Sequence, residues 1–321
     1  MERDPEQLEN LSLRAILQDS VVIPKSSPKT FSYITLSLVF PLSFVILAHS
    51  IFTHPFLEDI RRPTRDPARH RHDAAVLLLY QLLYFLILFS FSLLSTAAVV
   101  FTVASLYTSK PTSFTHTLSA IPRVFRRLFV TFLWISLLIV TYNLAFIGSL
   151  LFLGFVVFPE DSGHEGALIF SLIILLTLFI VAHVYITAIW HLASVISVLE
   201  PVYGFAALRK SRELLRGKTR DAAALVFGYL LLCAIISSVF SSVVVHGGGD
   251  YGIMAKVVVG GVCVGLLVVV NLVGLLVQSV FYYVCKSFHH QGIDKSALYD
   301  HLGGYLGEYV PLKSSIQMEN L

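Results

Sequence analysis

Charge is the scarcest resource in this chain. Of its 321 residues only 13% are Asp, Glu, Lys or Arg, where a soluble domain carries about a quarter. With 56% hydrophobic residues and a mean hydropathy of +0.77, no soluble fold of this length can hide its apolar surface. A bilayer solvates apolar side chains, and a helix satisfies its own backbone there.

Cysteine is also sparse. Cys233, Cys263 and Cys285 lie in or beside apolar runs without a CxxC spacing, which reads as small packed residues rather than a disulfide or zinc framework. The chain has no GxSxG or HExxH and no paired carboxylates at a span end, so nothing in it calls for catalysis or a cofactor. Gly247-Gly248-Gly249-Asp250 has neither a strand before it nor Lys-Ser/Thr after it; it reads as a turn, not a phosphate loop. His70-Arg71-His72-Asp73 lacks ligand spacing and reads as a solvated loop, leaving no metal site. The net charge is only +3, with no long basic tract, which argues against nucleic acid as a partner. The N-terminus is acidic and polar, and its first apolar run starts near Phe31; neither a cleaved signal nor a lipid anchor is expected.

What the chain does contain is six long apolar runs: Phe31–Thr53, Ala74–Lys110, Leu128–Phe158, Gly166–Glu200, Ala222–His246 and Met254–His289. Each exceeds the roughly 20 residues a span needs. The expected fold class is therefore all-α: a polytopic membrane bundle of about six transmembrane helices. It has a cytosolic N-terminal segment 1–30, a membrane domain 31–289 and a cytosolic tail 290–321. The second, fourth and sixth runs are the longest, so those helices should tilt, kink or project from one face.

Orientation follows from Lys and Arg. The face holding both termini has 17 of them and the other face 6, which places both ends in the cytosol. The loop His54–Asp73 runs against the trend with five arginines. It would be cytosolic if the first run were a re-entrant hairpin turning at Pro41.

The chain also shows a threefold pattern, in which an amphipathic stretch precedes each odd span. Val22-Ile23-Pro24-Lys25 and Ala120-Ile121-Pro122-Arg123 are 98 positions apart, and a third basic stretch lies near Arg216-Gly217-Lys218. The pattern implies three parallel helix pairs. In the second stretch, Phe114, Leu118, Ile121, Phe125 and Leu128 form an apolar stripe, which Pro122 should divide into two short helices. In the third, Ala207, Leu208, Ser211, Leu214 and Leu215 form the stripe. Arg209, Lys210, Arg212, Arg216 and Lys218 are then candidates to meet anionic headgroups, which makes membrane lipids the expected partner.

Polar residues inside spans are the remaining pointers: His49, Gln81, Asn143, His183, His191, Asn271 and Gln278. His183 and His191 are separated by roughly 80° of azimuth, too far for one metal, and hydrogen bonding between helices is the reading preferred here. Gly261 and Gly265 form a GxxxG step, expected at a tight helix contact within the bundle or between protomers.

Met1-Glu2-Arg3-Asp4-Pro5-Glu6, the run Leu94-Ser95-Thr96-Ala97-Ala98-Val99-Val100-Phe101-Thr102-Val103-Ala104-Ser105, and Glu200 followed by Gly204 through Gly217 carry a resemblance. The chain resembles a land-plant family of uncharacterised multi-pass membrane proteins, which implies a six-helix endomembrane protein and supplies no catalytic or binding residues to carry over. Glu200, Gly204, Ala207, Ser211, Leu214, Leu215 and Gly217 are also distantly similar to the membrane portions of bacterial glycerophosphodiester phosphodiesterases, which implies a fold without their separate catalytic domain. The expected function is a non-enzymatic scaffold, trafficking factor or membrane organiser, with a transporter or channel for a neutral or lipidic solute as the competing class. A cavity lined by the intramembrane polar residues would favour transport, and a filled bundle the scaffold.

Overall fold

The computed structural model describes residues 11–61, 67–108, 114–157, 165–247, 252–291, 298–299 and 302–304. The His70–Asp73 cluster, most of the Gly247–Asp250 turn and the Met1–Glu6 motif lie outside the described residues or side chains. The helices are α1 (Leu13–Ser26), α2 (Pro28–Ile34), a π-helical turn (Thr35–Val39), α3 (Phe40–Arg61), α4 (Pro67–Tyr107), α5 (Phe114–Val157), α6 (Glu165–Leu199), α7 (Phe205–Leu215), α8 (Thr219–Phe240), a second π-helical turn (Ser241–Val245) and α9 (Ile253–Phe288).

Six segments are long and apolar enough to cross a membrane: Pro28–Pro55, Ala75–Tyr107, Thr117–Phe155, Ile169–Leu199, Thr219–Val245 and Ile253–Phe288. The protein is an all-α, polytopic membrane bundle. The first run is helical from Pro28 to Arg61, so it does not turn back at Pro41 and is long enough to cross a membrane. A widened turn at Thr35–Val39 precedes that proline, which has no N–H for the carbonyl one turn earlier.

Two expectations about helix lengths are corrected. Pro122 does not divide its stretch: α5 runs unbroken for 44 residues with Pro122 inside. The third span, fused to its amphipathic lead-in, is therefore the longest. Pro122 removes a single hydrogen bond on an exposed side of the helix, and the buried stripe of Thr117, Ala120, Ile121 and Val124 holds the remaining turns in place.

The threefold pattern acquires a physical form. The C-terminal parts of α4, α6 and α9 touch one another and hold the core, through residues such as Leu93, Val100, Leu192, Ile196, Leu276 and Val284. Their N-terminal parts carry exposed apolar side chains such as Leu79, Leu83, Ile173, Leu176, Val258 and Val262, which lipid tails would cover. Each amphipathic stretch lies against one of these three: α1 on α9, the start of α5 on α4, and α7 on α6. Each also buries a hydroxyl on its inner side: Ser20, Thr117 and Ser211. The Ser20 hydroxyl donates to the Ile16 carbonyl at 2.7 Å, Thr117 Oγ1 lies 3.3 Å from Thr102 Oγ1, and Ser211 donates to the Ile189 carbonyl at 2.9 Å. A small hydroxyl at the crossing allows close approach and supplies its own acceptor.

The terminal segments are not free of the bundle. Leu11 and Leu302 are buried in the core, and Arg123 donates to the Gly304 carbonyl at 2.9 Å.

The glycine expectation is also corrected. A Cβ on Gly261 or Gly265 would meet nothing within 4 Å, so no tight contact within the bundle involves them. A Cβ on Gly274 would lie 3.1 Å from the Tyr229 ring, and one on Gly260 would lie 3.6 Å from the Phe240 ring. The inner stripe of α9 passes through Gly260, Leu267, Asn271 and Gly274, and one residue of helical rotation, about 100°, turns Gly261 and Gly265 outward.

Candidate functional site

Two polar assemblies stand out, one at the end of the core and one in its middle. The first grows from Glu200. Pro201 cannot continue a helix, so α6 stops at Leu199, and the Glu200 side chain, only 9% exposed, turns back into the protein. It accepts hydrogen bonds from the Tyr282 hydroxyl at 2.6 Å, from Lys286 Nζ at 3.2 Å and from Lys210 Nζ. Burial pushes its carboxyl up, but the bonds from Lys210 and Tyr282 and the charge of Lys286 outweigh that and hold it below its ordinary value. The assembly ties α6, α7 and α9 together.

Lys210 therefore leaves the row of candidate headgroup ligands, because its ammonium is committed to a buried carboxylate. Lys218 is also engaged, 3.8 Å from Asp221 and 5.2 Å from the centre of the Phe288 ring. Arg209, Arg212 and Arg216 remain exposed on the outer side of α7, and Arg209 reaches Glu213 at 3.3 Å. The expected apolar stripe is as read: Ala207, Ser211, Leu214 and Leu215 are buried and Leu208 is half-buried.

Two glycines set the position of α7. Gly204, at φ +65°, opens the helix; its N–H donates to Thr131 Oγ1 at 2.7 Å, which lies 2.7 Å from Ser197 Oγ. Gly217, at φ +88°, closes it against the Phe288 ring. Both need a backbone conformation that residues with a Cβ rarely adopt.

The second assembly is a chamber of about 240 Å³ between the helices, lined from every span: Leu42, Ser92 and Thr96, Phe132, His183 and Thr187, Tyr229, Asn271 and Gln278 among others. None of its lining residues is Asp, Glu, Lys or Arg. Of the seven polar residues singled out in the sequence, His183, His191, Asn271 and Gln278 line it and Asn143, His49 and Gln81 do not. Asn143 donates to the Ile139 carbonyl of its own helix at 2.8 Å.

The chamber walls are cross-linked by hydrogen bonds. His191 Nδ1 lies 2.6 Å from Gln278 Oε1, Tyr229 donates to Asn271 Oδ1 at 2.9 Å, and Asn271 Nδ2 donates to Ser43 Oγ at 2.9 Å. One end of the Gln278 amide is left over: Nε2 is buried and has no hydrogen-bond partner in the protein. Phe132 and Trp190 add an edge-to-face aromatic wall, their centroids 5.5 Å apart. His49 and Gln81, 2.9 Å apart, join the first two spans outside this chamber.

Sequence reasoning missed the destination of Glu200. The available signal was a carboxylate beside proline at the end of an apolar run.

A helical membrane bundle whose six spans enclose an uncharged chamber is the class that this geometry defines. The chain belongs to the family described as "Domain of unknown function (DUF8558)", whose model matches residues 1–321. No curated protein and no solved structure matches it.

Proposed function

We propose that the protein is a non-enzymatic carrier or receptor for a small uncharged solute, held in the central chamber. The observation that carries this reading is the convergence of all six spans on one cavity, lined by His183, His191, Asn271 and Gln278 among apolar side chains and by no charged residue. The absence of charge from the lining suits a neutral ligand. A chamber of this size suits a molecule of modest size with hydroxyl or carbonyl groups.

Reactivity of a chamber cysteine tests the reading. With Cys233, Cys263 and Cys285 changed to alanine, Ser92→Cys is expected to react with a small polar maleimide, while Leu79→Cys on the lipid-facing surface is not. Equal silence at both positions would mean a closed, dry bundle.

The exposed row Arg209, Arg212 and Arg216 favours a second reading, a scaffold, trafficking or membrane-organising role on the cytosolic surface of an endomembrane. Each Arg is worth about 1 kcal/mol against an anionic surface. This reading requires both termini to be cytosolic, as the 17-to-6 distribution of Lys and Arg proposes. A glycosylation acceptor in the connection 158–164 should be modified in the lumen, and one placed beside Arg209 should stay unmodified. The reverse pattern would remove the arginine row from the cytosolic surface.

A further inference from the structure

The fragment shared by the first two amphipathic stretches ends in Lys25 and Arg123, and the third stretch carries Lys218. The protein engages two of these three cations. Arg123 donates to the Gly304 carbonyl, and Lys218 lies 3.8 Å from Asp221. Lys25, in the last turn of α1, is exposed and makes no hydrogen bond or ion pair with any described residue.

Lys25 lines a groove of about 610 Å³ that is largely open to the outside. On one side stand the corner between α1 and α2 and the π-helical turn that follows it, and on the other Val268 and Leu272 of α9. The groove shares no lining residue with the central chamber. Two hydroxyls in its wall, those of Ser32 and Thr35, also bond to no described residue. Ser37, Ser43, Ser90 and Ser95 on the first two spans each donate instead to the carbonyl four residues back, the usual way for a helical hydroxyl to satisfy itself.

We propose that this groove is a site for one glycerophospholipid with a net anionic headgroup. Lys25 holds the phosphate, Ser32 and Thr35 donate to the ester carbonyls, and an acyl chain lies on Leu36, Phe40, Val268 and Leu272.

The order of groups along the groove matches that of the lipid. The first span starts at Pro28, which puts Lys25 on the water side of the boundary. At 1.5 Å per residue, Ser32 and Thr35 lie about 6 and 10 Å further in, and Phe40 about 18 Å. A diacyl phospholipid presents phosphate, ester carbonyls and chain in the same order from water inward. Ester carbonyls only accept, and the two hydroxyls are the donors they need. No Asp or Glu lines the groove to receive a choline or ethanolamine cation, so a second positive charge would meet only Lys25, and a net negative headgroup is preferred. A soluble anion would leave the apolar wall bare, and a sterol would leave the ammonium unpaired.

The probe is phosphatidylglycerol with a diazirine midway along one acyl chain, a minor component of phosphatidylcholine nanodiscs that hold the full-length protein. Saturable labelling is expected on the peptides containing residues 36–40 and 268–272, about five-fold stronger than with the same chain on a choline headgroup. Lys25→Met should abolish that preference and Lys25→Arg should keep it. Arg209→Met, on the exposed side of α7, should leave it unchanged, which separates a bound lipid from general attraction to a basic surface. Ser32→Ala combined with Thr35→Val should weaken labelling by both probes and preserve their ratio. None of these positions is buried, and size-exclusion profiles check that each variant folds.

Equal labelling by the two headgroups, or a preference that survives Lys25→Met, would reduce the groove to ordinary lipid contact. Labelling elsewhere on the spans with none at these two peptides would mean that protein covers it. Either result overturns the proposal.

Discussion

Glu200→Ala is expected to lower the stability of the bundle by about 3–5 kcal/mol, the usual cost of stripping a buried charge of its partner. The change removes the single carboxylate that receives Lys210, Lys286 and the Tyr282 hydroxyl. Two ammonium groups, each less than a third exposed, would then face each other across the gap. Thermal unfolding in detergent reads the loss. Changing Lys210 and Lys286 to Met in the same background should recover much of it, because an apolar replacement of a whole ionic cluster is often nearly neutral. A Glu200→Ala protein that melts like the wild type would mean the carboxylate is solvated and contributes no more than a surface pair.

The same group fixes a pH dependence. Its folded carboxyl is held below the ordinary value of about 4.5. The stability it contributes is thus fully present above that ordinary value and is lost as pH falls through the folded one. Wild-type melting should drop as pH is lowered below about 4.5, and Glu200→Gln, which has no proton to take up, should show a shallower fall over the same window.

The second large effect is expected at Gly217. Its φ of +88° lies in the left-handed region, and a Cβ there would sit 2.4 Å from Phe288 Cε1. Gly217→Val should cost about 1–2 kcal/mol for the backbone and about 1–3 kcal/mol more for the displaced ring. Phe288→Ala in the same protein should relieve only the second part. Gly261→Val is the internal control, because a side chain there meets nothing within 4 Å and the backbone is ordinary helix; its melting temperature should stay near that of the wild type. A Gly217→Val protein that melts like Gly261→Val would show that neither the left-handed backbone nor the Phe288 contact requires a glycine there.

These three positions also show what could be read from the sequence. Span limits emerged within a few residues for five of the six spans, the third starting at Thr117 rather than Leu128, because hydropathy over twenty positions is a collective property, insensitive to any one side chain. The inner stripe of α7 was legible for a related reason: a helical period of apolar residues fixes one face. That period does not say where a long flexible cation ends. Lys210 and Arg209 are neighbours on the polar side, and only the partner on α6, ten positions back in the chain, draws one inward. Lys286 is 86 positions from Glu200, beyond any local pattern.

The glycines failed in the opposite way. The GxxxG spacing of Gly261 and Gly265 identifies a smooth helix face and is silent about whether protein or lipid lies on it. The face used belongs to Gly260 and Gly274, fourteen positions apart, a spacing too long to register as a motif. The chamber was half legible. Polar residues inside spans marked four of its lining side chains, and Asn143 was a false lead because an amide can satisfy itself on the preceding turn of its own helix. That the four would border a void, rather than pair tightly across filled helix contacts, depends on how far apart the six spans stand, and no periodicity encodes that distance.

The chamber is the centre of the functional account, and Trp190 stands in its wall. With Trp134 changed to phenylalanine, Trp190 is the only tryptophan left to report. Acrylamide, a neutral polar molecule small enough for the chamber, is expected to quench its fluorescence in lipid nanodiscs, and a quencher attached to lipid tails to do so weakly. Efficient quenching from the lipid tails with none by acrylamide would contradict the account, since Trp190 would then look outward from a bundle that holds no solute.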